Sequence, residues 1–284
     1  MTIKEGLKKA NEILKEKDIE EPILKSRILL AFILCQNKEY LITHEEKELT
    51  PNQTKHFKKT LKKLTKNEPI QHITGIQQFM GLEFLVNKNV LIPRPDTEIL
   101  VEEVIHIAND IEKHKSLQIL DLCTGSGAIG ISIAKQMENV QIVISDKSGK
   151  AMKVAKRNVI QNNVTEKIEM IKSDLFFKLK NRRFDIIVSN PPYIRKEVIK
   201  TLDKVVQKEP ILALDGRKDG LYFYKKIIEE AERFLNPKGY LCLEIGYDQK
   251  EEVMKLMQES KKYDNIYTKQ DLAGNDRIVI CNLK

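Results

Sequence analysis

No tryptophan occurs anywhere in the chain, and tyrosine and phenylalanine bring the aromatic share to only 6%. Stacking platforms for single-stranded nucleic acid are therefore scarce. Cysteine is sparse as well: Cys35, Cys123, Cys242 and Cys281 lie far apart and mostly inside apolar runs, which fits neither a metal-ligand spacing nor a disulfide framework. They read as buried thiols of a reducing compartment. His72 has no neighbours that would complete a ligand set, so it is taken as structural, and no metal is expected. No apolar run reaches the length that a bilayer demands, and the chain opens on a charged amphipathic pattern, not on a basic segment with an apolar stretch behind it. A soluble cytoplasmic protein without a membrane partner is expected.

Positive charge is in excess, with a formal net charge of +8. Such a balance raises encounter rates with polyanions. The lysines are spread over helical faces, however, as at Lys8, Lys9, Lys15 and Lys17, and the densest group, 55 to 66, also falls on a helical pattern. Solvated faces account for them as well as nucleic acid does. The 284 residues allow one large domain or one domain with a smaller companion.

Apolar positions recur at helical spacing from residue 2 to about 75, including Leu7, Ile13, Leu14, Ile28, Leu29, Phe32, Ile33, Leu61 and Leu64. Thr50-Pro51 reads as an N-cap with proline at the first helical position, and Asn67-Glu68-Pro69 ends the pattern. The reading is a small all-helical domain over 1–76. Strand-forming residues at 79–84 and 90–92 flank Asn87-Lys88-Asn89, which predicts a β-hairpin within a linker over 77–95. From Asp96 the pattern alternates helix with apolar strand: helix to Ile111, strand 117–122, helix 129–137, strand 141–145, helix 150–161, then strands 167–171, 184–189, 240–245 and 278–281. Alternation of this kind predicts an α/β domain over 96–284, with a parallel sheet covered on both faces.

Three strand ends carry the chemistry. The first leads into Asp121-Leu122-Cys123-Thr124-Gly125-Ser126-Gly127-Ala128-Ile129-Gly130, whose glycines permit close backbone approach to a ligand. A dinucleotide turn shares the G-x-G-x-x-G spacing, but the Asp121 carboxylate would repel a phosphate and suits a cationic amino-acid group, which favours S-adenosyl-L-methionine. The second strand ends at Asp146, a two-oxygen acceptor for both hydroxyls of a ribose. After the third, Asp174 and Leu175 could take an adenine amine and pack its ring; the plain alternative for Asp174 is a helix N-cap.

A fourth strand runs into Asn190-Pro191-Pro192-Tyr193. Each proline fixes its own φ and restricts the residue before it, so the loop is a stiff turn at a strand end. Unpaired carbonyls, the Asn190 amide oxygen and the Tyr193 ring make a set of acceptors beside a stacking surface. That suits methyl transfer to a planar nitrogen.

Several separated segments together make the chain similar to the PrmC/HemK family, the N(5)-glutamine methyltransferases of peptide chain release factors. They are Pro69 to Gly75, Ile92-Pro93-Arg94-Pro95-Asp96-Thr97-Glu98, the Asp121 to Gly127 turn, Asn190 to Tyr193, and Glu209 to Gly216. The resemblance covers nearly the whole chain. It implies a class I S-adenosylmethionine-dependent methyltransferase fold, Rossmann-like with a seven-stranded, mostly parallel sheet, joined by a β-hairpin to a helical N-terminal domain that recognises substrate. It also implies that Asn190, Pro191, Pro192 and Tyr193 hold the substrate glutamine of a Gly-Gly-Gln motif. Cys123, Thr124, Gly125, Ser126, Gly127, Asp146, Asp174, Leu175 and Asn190 would line the cofactor, which leaves as S-adenosyl-L-homocysteine.

Cys123 stands where the family commonly has glycine, and Leu175 where an aromatic can stack on adenine, so weaker adenine packing is expected. Arg94, Glu98 and Glu209 either shape the loop or form surface ion pairs. Release factors are the expected partner, with no direct nucleic-acid contact and a monomeric chain. Two rivals share the motif: a methyltransferase of adenine N6 in DNA or RNA, and a glutamine methyltransferase of a ribosomal protein. A non-catalytic binding protein on the same fold is a third reading, disfavoured by the intact Asn190 to Tyr193 loop.

Overall fold

The computed structural model describes residues 1–111 and 116–284. These residues group into two compact units, one formed by 1–76 with 203–208 and the other by 77–202 with 209–284.

The first unit is helical. It contains α1 (Ile3–Glu16), α2 (Pro22–Leu34), α3 (Lys38–Thr43), α4 (Pro51–Leu64) and α5 (Ile70–Thr74). Two capping boxes set its helix starts: Thr2 pairs reciprocally with Glu5, and Thr50 with Gln53, with Pro51 in the first turn of α4 as its sequence predicts. Ile3, Leu14, Leu29, Leu30, Leu41 and Phe57 close its core.

β1 (Ile76–Phe79) and β2 (Leu82–Leu85) form a two-stranded hairpin at the start of the second unit. This corrects the expected strand pairing. The turn is Met80-Gly81, both at positive φ (51° and 71°), as a two-residue hairpin connection demands. Asn87-Lys88-Asn89 is instead a local turn in which the Asn87 side chain accepts from the Asn89 N–H at 3.0 Å, and residues 90–92 run on without a strand partner. Asn158 holds the hairpin from the far side, accepting from Leu85 N at 2.7 Å and donating to Leu85 O at 3.0 Å.

The remaining elements are α6 (Glu98–Asp110), β3 (Leu117–Leu122), α7 (Ala128–Gln136), β4 (Val140–Asp146), α8 (Gly149–Gln161), β5 (Ile168–Lys172), β6 (Phe184–Ser189), α9 (Ile211–Leu214), α10 (Tyr222–Glu230), β7 (Leu235–Glu244), α11 (Lys250–Ser260), β8 (Tyr263–Gln270) and β9 (Asp276–Leu283). Seven strands form one sheet in the order β5-β4-β3-β6-β7-β9-β8. The first five are mutually parallel, and β9 runs antiparallel to both neighbours. The alternation within β3, β4 and β6 builds two cores. Ile119, Ile142, Ile186 and Val188 face α6, α7 and α8, while Leu120, Val143 and Ile187 face α10 and α11.

Strand β8 has no counterpart in the sequence reading. Its polar composition (Tyr263-Asp264-Asn265-Ile266-Tyr267-Thr268-Lys269-Gln270) reflects its position at the sheet edge, where few side chains need burial. The strand order reverses between β3 and β6, and open α/β sheets bind ligands outside the carboxyl ends of strands at such a point.

Candidate active site

At that switch point lies a cavity of about 860 Å³. Its wall includes Cys123, Thr124, Gly125 and Ser126 after β3, Asp146 at the end of β4, Asp174 and Leu175 after β5, and Asn190 and Pro192 after β6. Four consecutive parallel strands thus deliver the predicted residues to one place. Gly127, Pro191 and Tyr193 are not on that wall.

The turn after β3 is organised from beneath. Asp121 is fully buried; its Oδ2 accepts from the Thr124 hydroxyl and, at 2.9 Å, from Gly130 N. Asp121 does not line the cavity wall, and its other oxygen, Oδ1, is buried without a hydrogen-bond partner among the described residues. Through Oδ2, Asp121 ties the turn to the start of α7. A Cβ on Gly130 would sit 2.6 Å from Ile144 Cγ2 and 3.0 Å from Asp121 Oδ2, so only glycine lets the helix approach β4 this closely. Gly127 lies just behind the wall at a φ of +86°, capping α7. Cys123 and Leu175 take φ values of +64° and +45°. For an L-residue this region costs roughly 1–2 kcal/mol, which gives a physical reason for glycine to be common at the position of Cys123.

Asp146 has a backbone donor on each oxygen: Gly125 N reaches Oδ2 at 2.9 Å and Ser148 N reaches Oδ1 at 2.7 Å. A carboxylate has about four lone-pair directions, so each oxygen can accept once more from a vicinal diol in the cavity. Asp174 is no N-cap. It lies in a turn and pairs with Lys147 Nζ at 2.6 Å.

The Asn190 to Tyr193 loop is braced from behind. Gly216 N donates to Ile194 O, Ile194 N donates to Leu214 O, and a Cβ on Gly216 would lie 2.7 Å from the Tyr193 carbonyl carbon. The Tyr193 carbonyl accepts from Gln249 Nε2 at 3.1 Å, and its hydroxyl lies 3.4 Å from Glu244 Oε1. Tyr193 thus anchors the loop through its carbonyl and its hydroxyl. Asn190 donates through Nδ2 to Thr97 Oγ1 at 3.3 Å.

Arg94, Glu98 and Glu209 are not surface pairs. Glu209 is buried, accepts from Ile92 N at 2.8 Å and pairs with Arg94, while Glu98 accepts from Met80 N at 2.6 Å and so holds the hairpin turn. Glu244, at the end of β7, went unnoticed in the sequence reading. The strand-end acid that flagged Asp146 and Asp174 was equally available there.

Burial pushes the Asp121 and Glu244 carboxyls up to about 7, against the pull of Thr124 and Gly130 at the first and of Thr97 and Arg277 at the second. An unfolded carboxyl titrates near about 4. Between those values the folded chain keeps protons that the unfolded chain has released, so stability falls as pH rises to about 7 and returns as pH drops. The urea midpoint should be higher near pH 6 than near pH 8, and Glu244→Gln should flatten the slope. A midpoint that climbs across this interval contradicts the assignment.

Burial also pushes the thiols of Cys123, Cys242 and Cys281 up, with Asp146 adding to the effect at Cys123, whereas Cys35 is exposed. Iodoacetamide should modify Cys35 first in the folded chain and the buried Cys242 and Cys281 only on unfolding, as peptide mass mapping would read. Rapid native labelling of Cys242 would count against the fold.

Among the described residues no helix is long and apolar enough to cross a membrane. The PrmC N-terminal domain model matches residues 5–75, and the methyltransferase small domain model matches 97–208. The release factor glutamine methyltransferase of Clostridium acetobutylicum is 42% identical over 99% of this chain and 98% of its own length. The bifunctional methyltransferase of Rickettsia typhi is 40% identical over 98% of this chain but only 57% of its own length. Two solved structures share the fold at low identity. A methyltransferase from Pyrococcus furiosus has a TM-score of 0.52 at 19% identity, covering 72% of this chain and 89% of that one. The hMettl16 catalytic domain has a TM-score of 0.58 at 18% identity, covering 76% and 80%. The seven-stranded sheet, the family models and the similarity to the Clostridium acetobutylicum enzyme along nearly its full length agree: the chain belongs to the release factor glutamine methyltransferase family.

Proposed function

We propose that this chain transfers a methyl group from S-adenosyl-L-methionine to the side-chain amide nitrogen of the glutamine in the Gly-Gly-Gln motif of peptide chain release factors. The observation that carries the reading is the Asn190 side chain, tied through its nitrogen to Thr97 and lining the same cavity as the acidic strand ends. The cavity fits the cofactor. Asp146 keeps free lone pairs for a ribose diol, Gly125 presents bare backbone with open space beyond its Cα, and Leu122, Ala151 and Leu175 offer apolar surface to a base. When bound, the cofactor supplies a methyl group on a positively charged sulfur and departs as S-adenosyl-L-homocysteine.

An amide nitrogen is a weak nucleophile because its lone pair is delocalised into the carbonyl, so orientation must supply much of the acceleration. The Asn190 Oδ1 and the Pro191 carbonyl accept the two N–H bonds of the substrate amide and fix its plane. Pro191 and Pro192 hold that pair of acceptors rigid. The nitrogen becomes acidic only on alkylation, so the acceptors already in contact with its protons suffice and a strong general base is not needed.

An adenine N6 amine has the same two donors and is the principal rival; a ribosomal-protein glutamine is another. The test uses labelled S-adenosyl-L-methionine with four acceptors: a release factor, the same factor with its Gly-Gly-Gln glutamine replaced, a ribosomal-protein fraction and an adenine-containing oligonucleotide. Label on the intact release factor alone is expected. Label on the oligonucleotide or the ribosomal fraction in its place overturns the reading.

A further inference from the structure

Among the described residues, three that are not glycine line the cavity at positive φ: Cys123, Leu175 and Arg217. The first two belong to the turns after β3 and β5. Arg217 belongs to neither, and it holds a φ of +73° two residues after Asp215, which bridges to Ile194 just beyond the Asn190 to Tyr193 loop. Glycine takes that conformation freely, and the chain does use glycine on either side, at Gly216 and Gly220, where a Cβ would lie 2.7 Å and 2.5 Å from the Tyr193 backbone. Keeping a long side chain in a strained conformation beside a binding site points to a use for that side chain.

The guanidinium is already held in place. Asp215 accepts from the Arg217 N–H through Oδ1 at 2.8 Å and from Nη1 through Oδ2 at 3.2 Å, so one carboxylate clasps both ends of the residue. The guanidinium carbon stands 5.8 Å from the centre of the Tyr222 ring, and Lys196 N donates to the Arg217 carbonyl at 2.8 Å. A guanidinium offers five N–H donors and no acceptor. The clasp leaves most of them unused, and the side chain remains 52% exposed. Because Asp215 already meets the charge, neutral acceptors suit the remaining donors.

The Gly-Gly-Gln motif narrows the acceptor. Its glycines have no side chain to read, so recognition next to the glutamine must use main-chain N–H and C=O groups, and a residue that only donates can take only the C=O. We propose that Arg217 is a specificity-determining residue whose guanidinium donates to the main-chain carbonyl oxygens of those glycines. This rests on the reading of a Gly-Gly-Gln glutamine as the substrate. Arg217 is assigned no contact with the reacting atoms.

Arg217→Gly and Arg217→Asn both suit a positive φ and remove the guanidinium, while Arg217→Lys keeps the charge and loses the fork. With a release factor as substrate, the first two should raise KM about tenfold while kcat and calorimetric affinity for S-adenosyl-L-homocysteine stay within about twofold; Arg217→Lys should fall between them and wild type. Their urea midpoints should match or exceed the wild-type value, since the strain is gone. Unchanged KM in both variants overturns the proposal. So does a KM rise accompanied by a comparable loss of cofactor affinity or a lower urea midpoint, which would make Arg217 a structural brace. The KM ratio of variant to wild type should be the same at low and high salt; a ratio that collapses at high salt would assign an acidic side chain as the acceptor and overturn the carbonyl assignment. A wild-type chain that leaves the release factor unmethylated would instead remove the reading beneath the proposal.

Discussion

Asn190→Ala should lower kcat by about a hundred- to a thousandfold, roughly 3–4 kcal/mol of transition-state stabilisation, the usual loss when one preorganised hydrogen-bonding group is removed. Affinity for S-adenosyl-L-methionine should change little. Asn190 lines the cavity, but the cofactor's polar groups have other partners in Asp146 and the Gly125 backbone. The loop should survive the change, because its braces run through Gly216, Leu214 and Gln249 and not through the Asn190 side chain. Steady-state kinetics with calorimetric cofactor binding separates the effects. A variant with raised KM and intact kcat would make Asn190 a binding contact only.

Asp146→Ala should do the opposite, weakening cofactor binding by about a hundredfold or more, since two hydrogen bonds to a charged acceptor are worth roughly 1.5–3 kcal/mol each. The change also strips the partners from Gly125 N and Ser148 N, which now fix the turn after β3 and the start of α8. Asp146→Asn keeps one acceptor oxygen and should fall between the two. Calorimetric titration with S-adenosyl-L-homocysteine reads this without turnover. Equal affinity in all three proteins would show that the ribose lies elsewhere.

Much of the sheet was legible because β3, β4 and β6 are apolar runs bounded by turn residues, and burial on both faces demands that pattern. The acidic strand ends and the double-proline loop were legible for a related reason: each is a short local signal. What escaped was of two kinds. Met80-Gly81 carries only half of a hairpin signature, since methionine at positive φ announces nothing, and β8 is polar because it is an edge. The other kind is contact at long range. Thr97 meets Asn190 across 93 positions, and Arg94 meets Glu209 across 115. Such pairings leave no spacing to read. The sequence could name the Arg94 to Glu98 segment through its resemblance, but only the fold assigns each residue a partner. For the same reason the sequence does not announce that one oxygen of Asp121 is used beneath the turn by Thr124 and Gly130.

The most direct test of the account is mass-spectrometric mapping of a release factor after incubation with the chain and S-adenosyl-L-methionine. It should find one added methyl group, on the side-chain nitrogen of the Gly-Gly-Gln glutamine, and lose it with Asn190→Ala. A methyl group on another residue, or an unmodified release factor beside a methylated adenine oligonucleotide, would contradict it.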